Sequence, residues 1–299
     1  MSFVKGQRLA AMTPAVFVLI WSTGFIVARY AMPHSPPLKF LVLRYALSVL
    51  CFVLWMALAR VRWPQDPSQW KHLAISGILV HAGYLGGVWT AVKWGMGSGL
   101  IALIAGLQPV LTAAWMSATS GGSVSRRQWV GLGLGFSGLA LVVARKFEGT
   151  SEANLGTLTM ALFALLCITA GTLYQKKNVT VADVRSANAV QMGAALIVSL
   201  PFAWAETESM QWSMQLAGAL AWAVLALSLG GSSLMYLLLQ RGAATAVTSL
   251  LYLVPPCTAV MALLLFGEPV DATTIAGMVI TAAGVSLVVR QARPVQDPP

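Results

Sequence analysis

One stretch of the chain occurs twice, and this duplication restricts the possible folds more than any other feature. Residues 98–145 align without a gap with residues 244–291, which lie 146 positions later. Matched prolines and glycines at fixed spacing are harder to obtain by chance than apolar matches, and they include Pro109 with Pro255, Gly121 with Gly267, Gly131 with Gly277, and Gly138 with Gly284. Each copy reads as an apolar helix interrupted by proline, a short turn and a second apolar helix. A duplicated apolar chain with broken helices is typical of membrane transporters.

The composition places the chain in a lipid bilayer. Of its 299 residues, 58% are hydrophobic and only 9% are charged, whereas a soluble domain carries about 25% charged residues. At roughly 20 residues per crossing, the sequence predicts ten transmembrane helices, at about residues 12–31, 36–59, 72–92, 98–119, 128–144, 155–174, 186–205, 214–239, 244–266 and 271–289. We therefore expect an all-α membrane protein made of two five-helix repeats, residues 8–145 and 153–291, with a cytoplasmic tail at residues 292–299.

The positive charges indicate how the spans are oriented. If the N-terminus is cytoplasmic, thirteen Lys and Arg residues lie in cytoplasmic segments, one (Arg44) lies within a span, and five lie outside, namely Arg29, Lys39, Lys93, Arg145 and Lys146. Positive residues concentrate in the cytoplasm, so both termini are predicted there. Five spans per repeat is an odd number, so the second repeat is expected to be inverted, with a substrate site at the centre. The net charge of +10 does not indicate nucleic-acid binding, because no basic cluster exceeds two residues.

Only two charged or titratable side chains lie deep in the predicted spans. No Asp or Glu lies inside a span, and Asp271 only marks the start of the last one. Arg44 and His81 are each roughly 12–13 Å into their spans at 1.5 Å per residue. A lipid-facing Arg would cost at least a few kcal/mol, so Arg44 either bonds carbonyls at a broken helix end or attracts carboxylate-bearing substrates. His81 is either a neutral core residue or a group that contacts substrate or takes up a proton.

Prolines within the predicted spans indicate helix breaks beside a cavity. Pro109, Pro255 and Pro256 each remove a backbone hydrogen bond. The freed carbonyls need polar partners in hydrocarbon, so these prolines are candidate hinges. The residues predicted to bind substrate lie on cavity walls or beside these breaks, and they are Trp21, Thr23, Arg44, His81, Tyr84, Gln108 and Tyr252. For Gln108, simple capping of the helix break is the alternative.

With these features, the chain resembles a known family. The two five-helix repeats, the segment Trp21-Ser22-Thr23-Gly24-Phe25, Arg44 in the second span and Gly267-Glu268-Pro269 before the last span are similar to the EamA type of the drug/metabolite transporter superfamily. The resemblance covers about residues 10–290. It implies a ten-helix exporter of amino acids or other small metabolites, often in the bacterial inner membrane. The family often has a Gly-Glu turn in both repeats, but the first copy here reads Gly121-Gly122, so we expect only a structural capping role for Glu268.

Together these features predict an inner-membrane transporter of bacterial cells. We expect it to export amino acids or related zwitterionic or apolar metabolites by alternating access, through a cavity lined by helices one to four and six to nine. Without a deep carboxylate, the expected transport is downhill or weakly coupled through His81. The main alternative is a proton-coupled exporter of drug-like or cationic compounds. A membrane-embedded enzyme and a structural or sensory membrane protein are further alternatives.

The expected partners are a small-molecule substrate and the lipid bilayer, with no role for nucleic acid. The chain is expected to be a monomer or a homodimer. No cofactor or metal is expected, because Cys51, Cys167 and Cys257 lie in apolar runs without the spacing of a metal site or a disulfide framework.

Overall fold

The structure, a computed structural model, describes residues 2–119, 126–149, 152–180, 182–240 and 253–290, and no β-strand occurs in these ranges. Its α-helices are, in chain order, α1 (Ser2–Ala31), α2 (Pro37–Leu58), α3 (Pro67–Gly77), α4 (Tyr84–Lys93), α5 (Ser98–Ala105), α6 (Gln108–Thr119), α7 (Arg126–Gly149), α8 (Leu155–Asn178), α9 (Val184–Ala205), α10 (Met214–Trp222), α11 (Ser233–Gln240), α12 (Val254–Phe266) and α13 (Ala272–Arg290). Polar side chains start several of these helices. Asp66, Asp183 and Ser213 each accept a hydrogen bond from a first-turn backbone N–H, as N-cap residues do.

Seven helices in the described ranges are long and apolar enough to cross a membrane. They correspond to seven of the ten predicted spans and are Pro37–Leu58, Pro67–Lys93, Ser98–Met116, Trp129–Lys146, Leu155–Asn178, Val184–Ala205 and Met214–Tyr236. Shorter apolar helices lie at the other three predicted positions, and they are Val16–Ala31, Val254–Phe266 and Ala272–Leu287. The chain is therefore an all-helical, multi-pass membrane protein.

Two π-helical segments interrupt the α-helical pattern at corresponding places in the two halves. Ile78–Gly83 joins α3 to α4, and Ala223–Ser232 joins α10 to α11, so that each set forms one continuous helix. In a π-helix each backbone N–H bonds a carbonyl one residue further back than in an α-helix, and such segments are frequent at functional sites. The carbonyl oxygen of His81, within the first segment, also accepts a hydrogen bond of 2.9 Å from the Tyr45 hydroxyl of α2.

The prolines lie at the starts of helices, within the spans that the sequence predicted to be interrupted there. A turn at residues 106–107 separates α5 from α6, and Pro109 lies in the first turn of α6. Pro255 and Pro256 likewise lie in the first turn of α12. The N–H that proline lacks would be unpaired in a first turn in any case, so proline is well accommodated there. The two breaks touch each other, because a β-carbon added at Gly106 would lie 2.9 Å from Cγ of Pro255.

The most extensive helix contacts join the first half of the chain to the second. They are the pairs α7 with α13, α2 with α9, α4 with α8, α3 with α9, and α1 with α12. Further contacts join α5 to α12, and the second π-helical segment to α1 and α2. One large cluster of buried apolar side chains is shared by both halves and includes Trp89 and Ile168. The two halves are therefore packed against each other along most of their length.

The two ends of the helix bundle differ in charge. The acidic end holds the turns at residues 32–36, 94–97, 206–213 and 267–271, which contact one another; for example, the backbone N–H of Gln211 donates to the carbonyl of His34 at 2.8 Å. The basic end holds residues 59–66, 179–180 and 182–183, and here Thr180 donates its backbone N–H to Oε1 of Gln69 at 2.9 Å. In the predicted topology, the acidic end faces outside and the basic end faces the cytoplasm.

A glycine contact between α7 and α13 allows a direct test of how the halves pack. A β-carbon added at Gly138 would lie 2.5 Å from the carbonyl oxygen of Gly277 and 2.5 Å from Oγ1 of Thr281. We expect Gly138→Leu to force the helices apart and to destabilise the protein by roughly 1–3 kcal/mol, as overpacking usually does. Thermal unfolding in detergent measures this effect. Gly133→Leu on the same helix is the matched control, since an added β-carbon there meets nothing within 4 Å; equal melting temperatures for the two variants would contradict the packing.

Candidate substrate cavity

A cavity with about 540 Å³ of empty space, counting space that is open to the outside, lies where α1, α2 and α4 meet the two π-helical segments. Its lining combines aromatic, aliphatic and a few polar side chains, and consists of Trp21, Gly24, Phe25, Arg44, Val80, His81, Tyr84, Leu85, Val88, Trp89, Leu227 and Ser232. The structure thus brings together Trp21, Arg44, His81 and Tyr84, four of the residues predicted to bind substrate. A mostly apolar cavity with a few convergent polar groups is the usual form of a small-molecule site.

Arg44 supplies the positive charge of this cavity. Its side chain is 5% exposed, and its Nε–H donates a hydrogen bond of 3.1 Å to Oγ of Ser228 in the second π-helical segment. Among the described residues, no carboxylate lies within 4.0 Å of the guanidinium. A guanidinium has five N–H donors in a planar fork. The bond to Ser228 uses one of them and fixes the side chain between the two halves of the chain.

His81 lies on the opposite π-helical segment and is 6% exposed. Its Nε2 has no hydrogen-bond partner among the described residues. The ring packs edge-on against Tyr45, with 6.4 Å between the ring centroids. A buried ring nitrogen without a partner is uncommon in native proteins. His81 lies in the same cavity as Arg44, and the side chain of Gln191 is a further polar neighbour of its ring.

The aromatic walls are held rigidly by further aromatic residues behind them. Trp89 stacks on Phe40 with a centroid distance of 4.5 Å. Trp21 packs against Phe17 at 5.4 Å. Preferred aromatic geometries of this kind add stability beyond the buried area. The cavity is thus built from packed side chains and can hold the apolar part of a ligand.

The structure places the other predicted residues elsewhere. Thr23 donates its hydroxyl to the carbonyl of Ile20 at 2.6 Å and accepts the indole N–H of Trp222 at 2.9 Å. The side-chain amide of Gln108 donates to Oγ1 of Thr172 at 3.2 Å and links α6 to α8. Neither residue lines the cavity. Tyr252 lies outside the described residues.

The lining also differs from the expected one. It comes from the first three predicted spans and the eighth, whereas the sequence predicted contributions from spans one to four and six to nine. Sequence reasoning missed Ser228 and Ser232. The available signal was weak, because a hydroxyl in an apolar membrane helix usually bonds a carbonyl of its own preceding turn. Ser232 does so with Leu227 at 3.4 Å, but Ser228 is instead the acceptor for Arg44.

Comparisons with known proteins agree with this architecture. The sequence model of the EamA-like transporter family matches residues 9–144 and 155–290. The protein named uncharacterized transporter YvbV, of Bacillus subtilis (strain 168), is 26% identical over 281 residues, which cover 93% of this chain and 90% of that protein. A protein named probable amino-acid metabolite efflux pump, of Salmonella typhimurium (strain LT2), is 25% identical over 278 residues, which cover 90% of each chain.

A solved structure has the same fold. A crystal structure of a protein 16% identical in sequence superimposes with a TM-score of 0.67, covering 97% of this chain and 99% of that one. At this level of identity the likeness concerns the fold alone.

Proposed function

The chain belongs to the EamA-like transporter family, and we propose that it exports small carboxylate-bearing metabolites with an apolar part, amino acids in particular. The transport would cross the bacterial inner membrane by alternating access. Two relatives are named probable amino-acid metabolite efflux pumps, but they are only 25% and 24% identical to this chain. The cargo is therefore argued from the cavity itself.

One observation carries the proposal, and this is the position of Arg44. A buried cation without a partner charge is costly, and the described lining of the cavity supplies no carboxylate. A substrate carboxylate can form charge-assisted hydrogen bonds with the N–H groups that Ser228 does not use. The apolar part of the substrate would then contact Trp21 and Trp89, while an amino group could donate to Nε2 of His81 in its Nδ1-protonated tautomer.

Alternating access requires two units that can rock against each other, and we propose that these are two inverted five-helix repeats. Helix contacts support this arrangement because they correspond under a shift of about 146 residues: α3 and the first π-helical segment pack on α8 as α10 and the second π-helical segment pack on α1. The contact of α7 with α13 has the same symmetry, because the 146-residue shift exchanges these two helices. Gly138 of α7 lies against Gly277 of α13, and the corresponding Gly284 of α13 lies against the backbone of Gly131 of α7. Inverted repeats place the substrate site at their interface.

Counterflow in proteoliposomes tests the proposed transport. Liposomes containing the purified protein are loaded with unlabelled leucine or phenylalanine, and the labelled amino acid is added outside without a pH gradient. We expect transient accumulation of label, which is lost when the internal amino acid is omitted. Accumulation that requires an imposed proton gradient would instead favour the proton-coupled alternative. If a screen of amino acids and other small carboxylates gives no counterflow, the proposal fails.

The orientation is tested by labelling two exposed tryptophans replaced by cysteine. Trp212 is 63% exposed at the acidic end, and Trp63 is 41% exposed at the basic end. In a variant without the three native cysteines, a membrane-impermeant maleimide should label Trp212→Cys in intact cells and Trp63→Cys only after permeabilisation. This outcome follows from the excess of Lys and Arg at the basic end. The reverse pattern would place both termini outside and contradict the proposed direction of loading.

A further inference from the structure

Ion pairs at the acidic end join the two halves, and in each pair the positive and the negative side chain come from different halves. The cations come from the first half and the carboxylates from the second, in the pairs Arg29 with Glu268 at 3.9 Å, Lys93 with Glu208 at 2.6 Å, and Arg145 with Asp271 at 3.7 Å. The pKa of Asp271 lies below its ordinary value, because the backbone N–H and the hydroxyl of Thr274 donate to the carboxylate and Arg145 lies near it. These carboxylates face cations across the boundary between the halves.

Carboxylates in two turns of the second half also accept hydrogen bonds from the N-termini of helices in the first half. The Glu206 carboxylate accepts hydrogen bonds from the backbone N–H groups of Leu38 at 2.9 Å and Lys39 at 2.8 Å, at the start of α2. The Glu268 carboxylate accepts from Ser98 at 3.1 Å and Gly99 at 3.3 Å, at the start of α5. First-turn N–H groups have no partner within their own helix, and a carboxylate there is also favoured by the helix dipole. These bonds must break if the halves separate at this end.

The basic end has no charged equivalent of these contacts in the described ranges. Under the 146-residue shift, Glu206, Glu208 and Glu268 correspond to Arg60, Arg62 and Gly122. The ion pair that the structure shows at this end, Arg185 with Asp183, lies within the second half. The contacts between the halves at this end contain no ion pair among the described residues; they include a hydrogen bond of 2.8 Å between His72 Nδ1 and the Tyr174 hydroxyl. They also include a cation–π contact, with the Arg185 guanidinium 5.4 Å from the centroid of the Trp55 ring.

We propose that the three ion pairs and the two carboxylate caps form a latch that closes the acidic end and biases the empty carrier toward opening at the basic end. The duplicated fold would give two equivalent gates, and within the described ranges the charged contacts between the halves occur at the acidic end. A set of bonds present in one state of a two-state carrier shifts the population toward that state. With the basic end in the cytoplasm, the resting carrier is accessible from the side on which an exporter loads its cargo. This inference rests on the proposed function, because it presupposes alternating access.

Cysteine accessibility in the cavity tests the latch. Ser232→Cys, in a variant without the native cysteines, places a thiol on the cavity wall. A small zwitterionic maleimide, which is membrane-impermeant but has no net charge, is applied from either side of oriented membrane vesicles. Adding Glu206→Gln and Glu268→Gln should raise the labelling rate from the acidic side about tenfold and lower it from the basic side. Glutamine keeps the length of the side chain, removes the charge and replaces one of the two acceptor oxygens by an NH2 donor, so each cap also loses a hydrogen bond.

The matched control removes two carboxylate caps that do not cross between the halves. Asp66 caps α3 and Asp183 caps α9, both at the basic end and both within their own half. Asp66→Asn with Asp183→Asn should leave the labelling rate from the acidic side unchanged. If the two double variants label alike, or if the Glu variant labels at the rate of its parent, the latch does not exist.

Ionic strength supplies a second measurement that needs no further substitution. Partly exposed ion pairs are screened at high salt, so the Ser232→Cys parent should label faster from the acidic side at 1 M NaCl than at low salt. The Glu206→Gln, Glu268→Gln variant should show a weaker dependence, because it has lost the pair of Arg29 with Glu268 but keeps the other two ion pairs. If the labelling rate of the Ser232→Cys parent did not depend on salt, the latch proposal would be overturned. Normal counterflow by the same protein would then show that the transport proposal stands without the latch. Loss of counterflow in the wild-type protein would instead refute the proposed function.

Discussion

Replacing Arg44 by glutamine is expected to weaken the binding of carboxylate substrates by about 30- to 4,000-fold. Truncating one partner of a buried, hydrogen-bonded charge pair costs roughly 2–5 kcal/mol, and each 1.4 kcal/mol is tenfold in affinity. The protein itself should still fold, because no described carboxylate would lose its partner and glutamine can still donate to Ser228. Affinity is measured from the concentration dependence of counterflow or by equilibrium binding to the purified protein.

Two comparisons make this result specific to the carboxylate. For the amide analogue of the same substrate, which lacks the negative charge, Arg44→Gln should cause a much smaller loss of affinity. Arg185→Gln removes a guanidinium of the basic end that is not part of the cavity, and it should leave both affinities unchanged. Unaltered carboxylate affinity in Arg44→Gln would remove Arg44 from the binding site.

Filling the cavity is expected to abolish transport without unfolding the protein. Gly24 lines the cavity, and an added β-carbon there would lie 3.8 Å from Cδ2 of Leu227, which is an ordinary contact distance. Gly24→Trp should therefore place its indole in the space that we assign to the substrate and lower the counterflow rate more than tenfold. Gly24→Ala at the same position is the control and should transport at nearly the wild-type rate. Wild-type counterflow in a correctly folded Gly24→Trp protein would mean that the substrate passes elsewhere.

The sequence predicted the deep polar residues well because the bilayer leaves them few options. A charged group cannot face lipid without a large cost, so Arg44 and His81 were expected to face inward, and the structure places both in one cavity. Thr23 and Gln108 were less predictable, because short polar side chains can be satisfied by a neighbouring helix. Trp222 and Thr172 provide those partners here. The choice depends on helix rotation, which apolar periodicity in a membrane helix hardly determines.

Local backbone structure was predicted only in part. Prolines were recognised as sites of helix interruption. A sequence does not specify whether a proline bends a helix or begins a new one, because in both cases the N–H that proline lacks is not needed for a regular helical hydrogen bond. The π-helical segments at residues 78–83 and 223–232 contain no proline, and their sequences carry no pattern that distinguishes them from α-helix. Similarly, the excess of carboxylates in the predicted outer loops was visible from the sequence, whereas the pairing of Glu206 and Glu268 with helix N-termini of the other half required the fold.

The most direct test of the central claim is a structure of the protein in lipid nanodiscs, determined at a saturating concentration of the cargo that counterflow identifies. The claim is that Arg44, His81, Trp21 and Tyr84 enclose the cargo between the two halves of the chain. We predict density for the cargo in this cavity, with its carboxylate within hydrogen-bonding distance of the Arg44 guanidinium and its apolar part against the aromatic wall. Density bound at another place in the bundle, with this cavity empty, would contradict the account.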